Sequence, residues 1–223
     1  IRLSVIIPVY NVEDYVAKCL DSLISPAAEA LSRGEKPDYE IIAVNHGSTD
    51  SSPAIVQDYV NHYPQFIRLI TTENRGQGHA RNVGIDEAQG EYLYFIDSDD
   101  YLAPGAMGEM LRTLDGSYDI LIFDSIAVNV DGGEINYYRG CSRAENIDLK
   151  NFPELLLENP ICGGSICRKS IYTDNAIRFP SRVWFEDFRT LLKLYAFTDK
   201  IAYTPKAWHR YLQRSGSVTN NKN

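Results

Sequence analysis

Apolar positions in the first hundred residues come in short unbroken runs, separated by stretches in which they recur at helical spacing. Leu3–Val9 (LSVIIPV) is a continuous β-branched run without alternation, the pattern of a strand buried on both faces. Val16, Leu20, Leu23 and Ile24 then fall on one face and predict a helix over 12–24, with Asn11 placed to cap it. SPAAEALSRGEKPD reads as a loop leading to a second strand, Tyr39–Asn45. Ser52 and Pro53 open the next helix as cap and first-turn proline. A third strand is predicted over 66–71, a helix over 79–88 and a fourth strand over 91–96.

Strands alternating with helices imply an α/β fold with a parallel sheet and helices on both faces, because parallel neighbours need crossover connections. In such sheets ligands bind beyond the carboxyl ends of the strands. Three loops rich in polar chemistry fall there: NHGSTD after the second strand, ENRGQGHARN after the third and DSDD after the fourth. From about 118 the pattern changes. Residues 118–128 are strand-like, NVDGGEINYY turns at Asp131 and Gly132 as a hairpin, and helical stretches are predicted around 150–158 and 187–197. The chain divides on this pattern into a half that carries the polar loops, 1–117, and a smaller half, 118–223, expected to form the other wall of a cleft, both within one domain.

Charge and cysteines narrow the class. The 22 Lys and Arg against 30 Asp and Glu give a net charge of −8, which argues against a nucleic-acid partner. No apolar run approaches the roughly 20 residues of a transmembrane helix, and LSVIIPV lacks the flanks of a signal peptide. A cytoplasmic location is expected, with peripheral association at the inner face of the membrane left open. The chain opens at Ile1 and stops in the polar tail NNKN, which leaves open that it is a fragment with an anchor beyond its C-terminus. Cys19, Cys141, Cys162 and Cys167 match no zinc spacing and read as reduced, buried thiols.

The sharpest chemical signal is YFIDSDDYL, where an apolar strand runs into Asp97, Asp99 and Asp100. Carboxylates this close repel unless something positive shares the site. Asp97 and Asp99, at i and i+2, suit a hard divalent cation whose remaining ligands come from substrate phosphates. An acidic cap on the helix after Pro104 is the plainer alternative.

With these loops in place the chain resembles the family-2 inverting glycosyltransferases of the GT-A fold, which make bacterial surface polysaccharides among other glycans. The resemblance rests on SVIIPVYNVEDYVAKCLDSL, HGSTDSS, ENRGQGHARNVGI, DSDDYLAPGAM, FEDF and RSGSVT, in the family's order. It implies a metal-dependent transferase of the hexosyl or N-acetylhexosaminyl class, using Mn²⁺ or Mg²⁺. The expected donor is a nucleoside-diphosphate sugar, UDP-linked by preference, and the acceptor a saccharide or lipid-linked hydroxyl. It assigns Asp97 and Asp99 to the metal, Asp97 also to the donor ribose, and Pro8, Tyr10, Asn45, His46, Asn74, Gly76 and Arg81 to the nucleotide-sugar site. Asn82 and Gly84 complete the third-loop pattern, and Arg81 would orient the acidic loop or offset phosphate charge. By the same resemblance Asp187 accepts the acceptor's proton and Glu186 orients acceptor or base. These two also suit the start of a helix as an acidic pair. Arg214, with Ser217, belongs to a late segment expected to contact the diphosphate.

Two departures stand out. Where the family carries a second late arginine this chain has Leu212; Arg210 is the substitute considered, and His209 is either an extra metal ligand or, the plainer alternative, an exposed histidine. In the second loop His46 stands where the family places a base-reading carboxylate, and a neutral imidazole can accept a hydrogen bond or stack instead. A degenerate binder of nucleotide sugars without turnover is one competing expectation. A sugar-phosphate nucleotidyltransferase is another, but that class needs a Gly-rich basic loop after the first strand, and PVYNVED is not one.

Overall fold

The structure, a computed structural model, describes residues 1–158, 161–183 and 185–214. The buried runs form parallel strands β1 (Leu3–Val9), β2 (Tyr39–Asn45), β3 (Ile67–Thr71) and β4 (Tyr92–Phe95), in the order β3-β2-β1-β4. Every residue of β1 is buried. Its Val5, Ile7 and Val9 pack with helices α1 (Val16–Ser32), α2 (Ser52–His62) and α4 (Ala106–Thr113) on one face. Ile6, with Ile42 and Val44 of β2, packs on the other face with α3 (Gln77–Glu87), α5 (Lys169–Asp174) and α6 (Glu186–Leu194). Each such buried aliphatic side chain contributes roughly 1.5–3 kcal/mol.

Residues from 118 onward add their strands to this same sheet. Beyond β4 it continues through β8 (Ser165–Arg168), β6 (Ile120–Val128) and β9 (Ile201–Leu212) to β5 (Tyr101–Leu102), while β7 (Glu134–Tyr138) completes the expected hairpin with β6. Strands β5, β7 and β8 pair antiparallel, so the sheet is mixed, with the parallel strands β1–β4 at one end. The register of β9 against β6 shifts between Thr204 and Ala207, where Pro205 has no N–H to give a ladder.

Helix α1 differs from its expected form at both ends. It starts at Val16, and Asn11 is no cap: at φ 50° its Oδ1 accepts from Thr49 N, tying the first loop to the second. Ser52 likewise is the first helical residue of α2 rather than its cap, and its hydroxyl accepts from Val12 N at 2.8 Å. At the other end α1 continues through Pro26 instead of stopping at Ile24. A proline disturbs the helical ladder around it, and here the Tyr39 hydroxyl fills the gap, accepting from Ala27 N and donating to Leu23 O. The two later helical stretches are shorter than expected: 153–157 is a 3₁₀ turn, and α6 ends at Leu194 before another 3₁₀ turn.

Candidate active site

The three polar loops follow the carboxyl ends of β2, β3 and β4. Pro8 is buried in β1 opposite Val44, and Tyr10 follows it, 42% exposed. Tyr10 lies stacked on the His46 ring, with centroids 5.2 Å apart and planes at 18°. Asn45 is buried and its Oδ1 accepts from Ser48 N, which fixes the turn after β2. Gly47 follows at φ 89°, and a Cβ there would press on Asn74 at 3.2 Å, so the second and third loops touch. Asn74 Oδ1 accepts from Gly76 N, which leads the chain into α3.

His46 is buried, and its Nδ1 has no hydrogen-bond partner among the described residues. Burial lowers its pKa below the ordinary histidine value, with the Asn74 side chain opposing and Arg81 and His79 reinforcing the shift. The ring is therefore neutral near pH 7, and its unpartnered Nδ1 is buried where the ring stacks with Tyr10.

Helix α3 organises the acidic loop. Gln77 and Arg81, four residues apart on one helix face, both donate to Asp97 Oδ1, at 2.6 and 2.8 Å. Arg81 also donates to Glu186 Oε1 in the first turn of α6. Its guanidinium thus joins the loop after β4 to a helix 105 residues away in sequence. Arg81 is only 2% exposed, and although burial opposes its charge, Asp97, Glu186 and Asp187 outweigh it and raise its pKa. Its ion pairs are with Asp97 and Glu186. Close backbone approach makes the junction possible, since a Cβ on Gly78 would stand 2.2 Å from Pro180 O.

The other two carboxylates face the end of β9. Asp99 Oδ2 accepts from Arg214 Nε at 2.9 Å, and Arg214 lies over the Tyr15 ring at 4.7 Å. Burial pushes the Asp99 carboxyl up, Asp97 adds to this, and Arg214 opposes it. Asp100 is buried, accepts from Leu212 N, and meets His209 Nε2 at 3.0 Å; burial carries its pKa to about 7 against the pull of His209. His209 is therefore neither exposed nor open to a metal, because its Nδ1 is engaged by the Tyr94 hydroxyl at 3.1 Å. Arg210 does not replace the missing arginine at this loop either, since its guanidinium donates to Ala207 O and His209 O. Ser217 lies outside the described residues.

Glu186 and Asp187 both lie in the first turn of α6, where a helix dipole favours them. Glu186 is buried and paired with Arg81, whereas Asp187 is half-buried and carries no ion pair among the described residues. Phe185, just before them, holds a left-handed φ of 57°, an uncommon conformation for an aromatic residue. The residues sequence reasoning missed are Gln77 and Tyr15; the i, i+4 spacing of Gln77 and Arg81 was the available signal for the first.

The contacts described use one oxygen each of Asp97 and Asp99, Oδ1 and Oδ2 respectively. No group of three His, Cys, Asp or Glu side chains gathers as a metal site among the described residues. Two carboxylates with an oxygen each to spare fit a hard divalent cation that takes its other ligands from phosphate and water. All four cysteines are buried free thiols, and Cys19 Sγ donates to Asp97 O at 3.8 Å.

The fold is that of the GT-A glycosyltransferases. The structure of Staphylococcus aureus TarS 1–349 in complex with UDP-GlcNAc matches all of this chain and 62% of its own, with a TM-score of 0.77 and 26% identity. The chain belongs to glycosyl transferase family 2, whose profile matches residues 4–177. EpsH of Bacillus subtilis is 30% identical over 97% of this chain and 62% of its own length. The poly(ribitol-phosphate) beta-glucosyltransferase of Bacillus spizizenii is 32% identical over 82% of this chain and 27% of its own. The chain thus spans less than two thirds of the length of these relatives. No helix among the described residues is long and apolar enough to cross a membrane.

Proposed function

We propose that this chain transfers a sugar, with inversion, from a UDP-sugar to a hydroxyl of a saccharide or lipid-linked acceptor in the synthesis of a surface polysaccharide. The observation that carries the proposal is the Arg81 junction, which sets Asp97 of the donor loop and Glu186 of α6 on one guanidinium. It joins two motifs far apart in sequence, with Asp187 next to Glu186 in the first turn of α6. A similar structure solved with UDP-GlcNAc favours this donor, and relatives named for transfer to poly(ribitol-phosphate) favour a role in the synthesis of a surface polymer.

In this reading Asp97 and Asp99 hold Mn²⁺ or Mg²⁺, which when bound neutralises charge on the leaving diphosphate. Tyr10 and His46 receive the nucleobase, by stacking and by the unused Nδ1. Asp187 accepts the proton of the attacking hydroxyl, and Arg81 fixes Glu186 so that α6 keeps Asp187 in place. Glu186, buried and already paired, is a positioning residue. The test is isothermal titration with UDP, GDP, CDP and TDP in the presence of Mn²⁺. Selective binding of UDP supports the proposal, and absence of binding by all four overturns it.

A further inference from the structure

The acidic loop and its basic neighbours match one for one: Asp97 with Arg81, Asp100 with His209, and Asp99 with Arg214. The first two basic side chains are only 2% exposed, and they tie the loop to α3 and β9. The third pair differs. Asp99 and Arg214 are each 20% exposed, and Arg214 stands two residues past the end of β9, resting on Tyr15 at the start of α1. Asp99 is also one of the two carboxylates read above as metal ligands. A guanidinium and a divalent ion on one carboxylate repel each other, and burial leaves that repulsion poorly screened.

We infer that Arg214 is a resident counter-cation of Asp99 that opposes metal binding until a nucleoside diphosphate arrives. The inference rests on the reading of Asp97 and Asp99 as the metal site. Without nucleotide, Arg214 supplies the positive charge Asp99 needs, and an incoming cation must displace it or bear its repulsion. When a diphosphate enters, its negative oxygens offer the guanidinium a second, multidentate partner and offset both cations. Metal and nucleotide then bind with positive coupling, and by linkage each raises the affinity of the other equally. The side chain needs only to turn from one anion to the other.

The test measures Mn²⁺ binding by the full chain, from the electron paramagnetic resonance of free Mn²⁺, first without nucleotide and then with UDP. Formation of Mn²⁺–UDP in solution is measured separately. The proteins are wild type, Arg214→Gln, Arg214→Lys and Asp99→Asn, with circular dichroism and unfolding midpoints confirming that all are folded. Without nucleotide, Arg214→Gln should bind Mn²⁺ roughly tenfold or more tightly than wild type, within the usual range of coupling between sites. Arg214→Lys, which keeps the charge, should stay near wild type. UDP should raise Mn²⁺ affinity strongly in wild type and much less in Arg214→Gln. If Arg214→Gln binds Mn²⁺ no tighter than wild type while Asp99→Asn loses binding, the inference is wrong and the metal reading stands. If neither wild type nor Arg214→Gln binds Mn²⁺ even with saturating UDP, the metal reading fails and takes the inference with it.

Discussion

Replacing Arg81 by Met removes the one cation that Asp97 and Glu186 share while keeping an unbranched apolar side chain in its place. Breaking a buried ion pair from one side typically costs 3–5 kcal/mol, because the remaining charge is left uncompensated. The two carboxylates do not share that cost equally. Asp97 is 36% exposed and keeps Gln77, so water and an amide take over much of the role of Arg81. Glu186 is 11% exposed, so most of the penalty falls there. A loss of about 3–4 kcal/mol is expected, a large fraction of the 5–15 kcal/mol typical of a folded domain. Urea unfolding followed by circular dichroism measures it, provided the slope with denaturant is unchanged.

The sign of the pH dependence is a second check on Arg81→Met. An unpaired, buried Glu186 has its folded-state pKa raised above the unfolded value of about 4.3. The folded variant then binds more protons than the unfolded chain between those two values, so its stability falls as pH rises through that window. The deficit against wild type should therefore be smaller at pH 5 than at pH 7.5. Adding Glu186→Met to Arg81→Met removes the stranded charge and should recover most of the loss. A cost below 1 kcal/mol, or a double variant no better than the single, would refute the view that Arg81 pins the two halves of the cleft together.

Asp187→Asn should lower sugar transfer by roughly 10²- to 10⁴-fold with UDP affinity unchanged, read by product formation and calorimetry; near-normal turnover would move the proton acceptor elsewhere. UDP affinity in wild type at saturating Mn²⁺ should hold steady around pH 7 and fall only in acid below the ordinary histidine pKa of about 6.5, since burial lowers that of His46. His46→Asp should keep binding and lose that step, and identical profiles from pH 5 to 8 would remove His46 from base recognition. Tyr39→Phe should destabilise the chain by about 1–3 kcal/mol in urea unfolding, because it leaves Leu23 O and Ala27 N without their bridge around Pro26.

Strands β1, β2 and β4 were readable because each is an unbroken or nearly unbroken apolar run, and burial on both faces of a sheet leaves no room for polar alternation, whereas β3 at the sheet's edge is only partly buried. Strand β9 was not, because Pro205 and Lys206 interrupt it at the shift in register. The extension of α1 past Pro26 depends on a hydroxyl from β2, which no local pattern around the proline reveals. At the site, chemistry was visible and partnership was not. DSDD announced a need for positive charge, and a metal was the natural guest. Each of the three carboxylates already has a basic neighbour, from α3, from β9 and from just beyond it. His209 was expected as a metal ligand or an exposed histidine, and it is neither, since its burial follows from Tyr94 and Asp100 closing on it from two directions.

The central claim is that Asp97 and Asp99 bind a nucleoside diphosphate through a divalent cation. Calorimetric titration of UDP into wild type and Asp99→Ala, each with Mn²⁺ and with a chelator, tests it most directly. Wild type should bind UDP tightly only with Mn²⁺, and folded Asp99→Ala should show no Mn²⁺-dependent gain. Retention of that gain by Asp99→Ala, with its unfolding transition intact, would contradict the account.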